Sequence, residues 1–129
     1  MDDLWLFDAE EFRKVVNEKT KLVILNNAQN PTGKLFSRSE IEELSKILDD
    51  FPQIIVLSDD VYEFLAFGGE YVTFASLGNN FERTLTCWDG GKLFNATGWC
   101  VAWAIGPAHL VKPPAVITST TVYCASNPA

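Results

Sequence analysis

Two short apolar runs, Leu22-Val23-Ile24-Leu25 and Ile54-Ile55-Val56-Leu57, flank a strongly marked helix, and that arrangement restricts the fold more than any other feature of the chain. Each run is continuously apolar and rich in β-branched residues, which suits a strand buried on both faces. Between them, Ser37-Arg38-Ser39-Glu40 has the form of a capping box, and Ile41, Leu44, Ile47 and Leu48 recur on one helical face. The helix is expected to end near Asp50, before Pro52. Strand, helix, strand with apolar strands predicts a parallel α/β sheet.

The rest of the chain extends this pattern. Asp8 caps a helix over 9–18 whose apolar face is Phe12, Val15 and Val16. Asn26 to Gly33 reads as a loop, from its Asn, Pro and Gly content. Val61 to Phe67 begins a helix that Gly68-Gly69 stops, and residues 71–82 are mostly irregular. Arg83–Trp88 and Val101–Ile105 are the third and fourth strands. The link between them, 89–100, is short for a right-handed crossover, so the fourth strand is expected antiparallel to the third. A helix follows Pro107, and Pro113-Pro114 predict a delayed or kinked start.

Composition narrows the function. A length of 129 residues suits one domain. Seventeen acidic against ten basic side chains give a net charge of −7, which opposes nucleic-acid binding. No apolar run approaches the roughly 20 residues that span a bilayer. Met1-Asp2-Asp3-Leu4-Trp5 has neither the basic nor the apolar part of a signal peptide. Cys87, Cys100 and Cys124 are an odd set without C-x-x-C spacing, and His109 is the one histidine. Neither a disulfide scaffold nor a metal site is expected, and a reducing cytoplasmic compartment fits best.

Ligands of open α/β sheets sit beyond the carboxyl ends of the strands. Asn30-Pro31-Thr32-Gly33 follows the first strand, Asp59 and Tyr62 the second, and Lys92 the third. An amide, a carboxylate, a phenol and an amine thus converge from separate parts of the chain. Singly, each has a plain structural reading: a turn, a helix cap, a half-buried aromatic, a solvated lysine. Gly90-Gly91-Lys92 is not a phosphate-binding Walker loop, since Leu93 stands where Ser or Thr is needed. The sequon Asn95-Ala96-Thr97 reads as chance without a secretory signal.

Three segments in order, Asn30-Pro31-Thr32-Gly33-Lys34, Ser58-Asp59-Asp60-Val61-Tyr62-Glu63 and Gly91-Lys92-Leu93-Phe94-Asn95-Ala96-Thr97-Gly98-Trp99, resemble the fold-type-I pyridoxal-phosphate (PLP) aminotransferases of class I/II. Phe74-Ala75-Ser76-Leu77, Glu82-Arg83-Thr84-Leu85-Thr86 and Ala104-Ile105-Gly106-Pro107-Ala108-His109-Leu110 are similar to the kynurenine aminotransferase branch, which includes the cysteine-conjugate β-lyases. The resemblance implies the mostly parallel three-layer α/β/α large domain of that fold, of which residues 1–129 are the central part. It implies amino-group transfer from L-kynurenine or another aromatic or sulfur amino acid to a 2-oxo acid, in a homodimer that is cytoplasmic or, for a full-length protein, mitochondrial. It also implies roles. Lys92 matches the lysine that forms the Schiff base and moves the proton. Asp59 matches the carboxylate under the pyridine nitrogen. Tyr62 and Asn30 match the phenol and amide that bond the ring oxygen.

Two positions depart from the family. Asp89 stands where a serine usually binds the cofactor phosphate, and Cys100 where a basic residue usually pairs with it. A carboxylate about 4 Å from one phosphate charge costs roughly 4 kcal/mol at an effective dielectric near 20. The family's phosphate loop, its ring-stacking aromatic, its small domain and the arginine that grips the substrate carboxylate fall outside the resemblance. Two alternatives therefore stand beside the transaminase: a non-catalytic remnant or interaction subunit, and a PLP-dependent carbon–sulfur β-lyase using the same lysine.

Overall fold

The computed structural model describes residues 5–124; Met1–Leu4, read above for a signal peptide, lie outside them, as do residues 125–129. The strands β1 (Leu22–Asn26), β2 (Ile55–Asp59), β3 (Thr84–Asp89) and β4 (Ala102–Ile105) form one sheet in the order β1-β2-β3-β4. The first two pairings are parallel and the last is antiparallel, as the short 89–100 link predicts. Helix α2 (Arg38–Asp49) is the crossover between β1 and β2.

The capping box of α2 is formed. Ser37 Oγ accepts from the Glu40 N–H at 3.2 Å, and Glu40 Oε2 accepts from the Ser37 N–H at 2.7 Å. The inward residues Ile41, Leu44, Ile47 and Leu48 are all buried. They meet one face of the sheet, where Leu25, Ile54 and Val56 are buried with them. Val72 and Phe74, from the segment that reads as irregular, complete this core. That segment contains two 3₁₀ turns, Phe74–Ser76 and Asn80–Arg83.

The opposite face of the sheet is open. Residues paired across it share a side, so Leu22, Ile24 and Asn26 line up with Ile55, Leu57 and Asp59. Ile24 is 66% exposed and Leu22 49%. These strands thus bury one face within the chain and leave the other bare.

Four sequence expectations shift. Helix α1 runs Ala9–Val15, shorter than 9–18, because the Asn17 side chain accepts from the Lys19 N–H and turns the chain. Val15 consequently points to solvent while Val16 enters the core. Residues 61–67 form only a 3₁₀ turn at Glu63–Leu65. Asn26 belongs to β1 rather than to the loop that follows. Helix α4 (Ala108–Thr121) follows the single turn α3 (Gly90–Leu93) and β4, and it runs through Pro113 and Pro114 without delay. Proline φ is itself helical, so the helix continues while the carbonyls one turn back lose their donors. Among the described residues no helix is long and apolar enough to cross a membrane.

Candidate active site

At the carboxyl ends of β1 and β2, register places Asn26 beside Asp59 on the open face. The Asn26 amide is used at both ends. Its Nδ2 donates to the Asp59 carbonyl at 3.1 Å, and its Oδ1 accepts from the Asn30 N–H at 2.9 Å. Asn30 then donates from Nδ2 to the Tyr62 hydroxyl at 3.0 Å. Three of the expected site residues are thereby joined although Asn30 and Tyr62 are 32 positions apart. The Asn30 loop is shaped locally: Gln29 Oε1 accepts from the Thr32 N–H at 3.0 Å, and Gly33 turns the chain at φ +74°.

Lys92 arrives by another route. β3 ends at Asp89, whose Oδ1 caps the next turn by accepting from the Gly91 N–H at 2.6 Å. Asp89 Oδ2 lies 3.7 Å from Lys92 Nζ, and that amine also donates to Thr97 Oγ1 at 3.4 Å. A Cβ at Gly91 would lie 2.7 Å from Thr97 Cα, so only glycine allows this close approach. Among the described residues Lys92 makes no hydrogen bond or ion pair with Asn30, Asp59 or Tyr62. Asp89 thus serves its own turn and the lysine. Cys100 is exposed, in the left-handed conformation at φ 54°, with its thiol 3.7 Å from the Gly98 carbonyl.

A polar layer that the sequence reading does not single out lies on the core face, directly across the sheet. Asn27, Ser58 and Asp60 are buried there. Asn27 uses all its polar groups: N–H to the Asp59 carbonyl, Nδ2 to Val72 O, Oδ1 from the Phe36 N–H, and C=O from the Tyr71 hydroxyl at 2.7 Å. Asp60 Oδ1 accepts from Ser58 Oγ at 2.5 Å, but Oδ2 has no hydrogen-bond partner, and neither has the nearby Thr73 Oγ1. Burial pushes the Asp60 carboxyl above its ordinary range, against the pull of the surrounding hydroxyls. Burial, then the charges of Asp60, Glu63 and Asp59, push the Tyr71 phenol up as well. The Cys87 thiol is raised by burial and by Asp59 and Asp60. The strand alternation is the available signal: Asp60 follows Ile54, Val56 and Ser58 at even spacing on the buried side.

Two hollows flank the site. One of about 480 Å³ is lined by Asn30, Pro31, Leu35, Tyr62 and Phe67, among others. The other, about 610 Å³, lies behind the Lys92 turn and is apolar, with Phe94, Trp99 and Trp103 on its walls. Trp99 and Trp103 are exposed, while Trp88 is half-buried and donates its indole N–H to Glu63 at 2.8 Å.

Comparisons with known proteins identify the family. The sequence matches aminotransferase class I and II over residues 2–128. It is 42% identical over 109 residues to kynurenine–oxoglutarate transaminase of Dictyostelium discoideum, covering 83% of this chain and 25% of that protein. It is 37% identical over 125 residues to kynurenine–oxoglutarate transaminase 3 of Rattus norvegicus, covering 96% and 27%. The fold matches N-succinyldiaminopimelate aminotransferase from Mycobacterium tuberculosis with a TM-score of 0.88 at 32% identity, over 93% of this chain and 31% of that one. The chain therefore spans about a quarter of the length of these curated relatives. With a family match over nearly all of its residues and a mixed sheet superposing on a solved member, the chain belongs to the aminotransferase class I and II family.

Proposed function

We propose that the chain carries the lysine-bearing part of a PLP-dependent transaminase site. The observation that carries this reading is the chain of contacts Asp59–Asn26–Asn30–Tyr62 at the ends of β1 and β2, with Lys92 one turn beyond β3. The donor set suits the ring of the cofactor: an amine, a carboxylate and a paired amide and phenol. The bound cofactor would supply an electron sink for the substrate's Cα. Lys92 Nζ would attach it and carry the proton between substrate and ring. Asp59 would hold a proton on the ring nitrogen, and Asn30 Nδ2 and Tyr62 Oη would donate to the ring oxygen. Residues 1–129 are on this reading part of the large domain, and the assembled protein a homodimer. From its relatives' names, kynurenine would be the donor and oxoglutarate the acceptor, and the family resemblance extends this to other aromatic or sulfur amino acids and other 2-oxo acids.

The test is borohydride trapping. The chain is incubated with PLP, reduced, digested, and the labelled lysine found by mass spectrometry. Stoichiometric label on Lys92, together with amino transfer that Lys92→Ala abolishes, is the expected result. Label scattered over the other lysines overturns the reading. The engagement of both Asp89 oxygens favours a second reading, a non-catalytic subunit. That reading predicts scattered label and co-purification with a longer aminotransferase.

A further inference from the structure

We propose that Asn26 is a positioning residue, a clasp that sets the distance between the Asp59 strand end and the Asn30–Tyr62 pair. The inference rests on the site proposed above and adds a residue to it. Asn26 is the last residue of β1, and its amide points to the open face beside Asp59. One end of that amide holds the Asp59 carbonyl and the other the Asn30 N–H, so a single planar group of fixed length spans the gap between two strand ends. The Asp59 carbonyl receives a second donor from the Asn27 N–H at 3.2 Å, which fixes where the Asn26 side chain must reach. Asn30 is itself exposed, on a loop held by contacts within residues 29–34 and, at its far end, by the Lys34–Glu40 ion pair. The Asn26 contact is what ties that loop to β2 from the β1 side, and the Tyr62 contact follows from it. Removing the amide frees Asn30 to swing with its loop, while the sheet hydrogen bonds and the core beneath are unchanged.

Two variants separate the roles of the amide's ends. Asn26→Ala loses both contacts. Asn26→Asp keeps an oxygen for the Asn30 N–H but faces the Asp59 carbonyl with a carboxylate instead of a donor. Amide hydrogen exchange at Asn30 is measured together with the PLP concentration that half-labels Lys92 on borohydride reduction. For Asn26→Ala we expect exchange at Asn30 about tenfold faster or more, as for loss of a bond near 1.4 kcal/mol, and about a tenfold higher half-labelling concentration. Amides of Leu57 and Leu85 should keep their protection, which a merely structural lesion would not allow. Asn26→Asp should retain protection at Asn30 and still label Lys92 less readily. Unchanged exchange at Asn30 in folded Asn26→Ala, or unchanged labelling when exchange has risen, overturns the proposal. If the wild-type chain labels its lysines indiscriminately, it is the cofactor reading that fails. The clasp is then decided by Asn30 exchange alone, supported by a rise in Asn26→Ala and overturned by none.

Discussion

Asp60 is fully buried at the sheet end, yet one of its two oxygens has no hydrogen-bond partner, and replacing it with asparagine should stabilise the protein at neutral pH. Ser58 satisfies Oδ1 at 2.5 Å. Oδ2 and Thr73 Oγ1 are both left without partners. The Tyr71 hydroxyl lies near the carboxyl, but its hydrogen bond at 2.7 Å goes to the Asn27 carbonyl. An asparagine keeps the acceptor for Ser58 and places no charge in the buried site. A buried carboxylate with an unpartnered oxygen carries a desolvation cost of about 1–3 kcal/mol, and removing its charge should return roughly that amount at neutral pH. For a chain of this length, 1 kcal/mol moves Tm by roughly 3–6 °C. The pH dependence has a definite sign. Burial raises the folded-state pKa of Asp60 above its unfolded value, with the negative charge of Glu63 adding to it. The folded state therefore holds the proton longer. The stability contributed by the protonated carboxyl is fully present below the unfolded carboxyl range and is lost as pH rises through the folded pKa. The asparagine side chain does not titrate. Urea unfolding followed by tryptophan fluorescence, from the ordinary carboxyl range up to pH 8, should show Asp60→Asn gaining stability relative to wild type as pH rises. An Asp60→Asn protein that is less stable than wild type at pH 8, or that keeps the wild-type slope, refutes the reasoning.

Three further substitutions probe other features. Gly91→Ala puts a methyl 2.7 Å from the backbone of Thr97 and should displace the Lys92 turn, costing about 1–3 kcal/mol by urea unfolding and lowering PLP labelling at Lys92. Cys100 holds a left-handed conformation with an exposed side chain, so Cys100→Gly should relieve about 1–2 kcal/mol of backbone strain, less about 0.4–1 kcal/mol for the looser unfolded chain, a net gain on the same assay. Burial pushes the Glu40 carboxyl up, but Lys34 at 2.6 Å and the Ser37 and Phe7 N–H groups outweigh it and hold it below the ordinary value. Stability from Glu40 is thus present above the unfolded carboxyl range and lost as pH falls through the folded pKa, so Glu40→Gln should flatten the acid limb of the unfolding curve, the opposite of the Asp60 effect.

Much of the fold is legible because it is built from local signals. The capping box at Ser37–Glu40 and the spacing of Ile41, Leu44, Ile47 and Leu48 give α2 its start, its buried face and its place between two strands. The antiparallel β4 follows from the length of a single link. The structure brings the Asn30 and Tyr62 side chains and the Asp59 main-chain carbonyl together through Asn26. What sequence does not supply is register. Only the alignment of Asn26 with Asp59 turns a residue that reads as loop into the bridge between two site residues. Likewise, Asp60 reads with Asp59 as a helix cap, and only the strand's alternation sends it to the opposite face from Asp59. Val72 and Phe74 escape the sequence reading for a related reason. Their segment has no periodicity, and their burial depends on where the sheet ends leave space.

That same alternation links stability to chemistry. Along β1 and β2 the open face presents Leu22, Ile24, Ile55 and Leu57 and then, at its carboxyl end, Asn26 and Asp59. Apolar residues that lie bare and polar residues of the site are successive members of one row. At about 25 cal/mol per Å² of apolar area removed from water, covering Leu22 and Ile24 is strongly favourable. A layer that lies over them must continue to the edge of Asn26 and Asp59, because the strands are only five residues long. Any layer that covered this apolar row would also reach Asn26 and Asp59, so covering the sheet and enclosing the proposed site would go together.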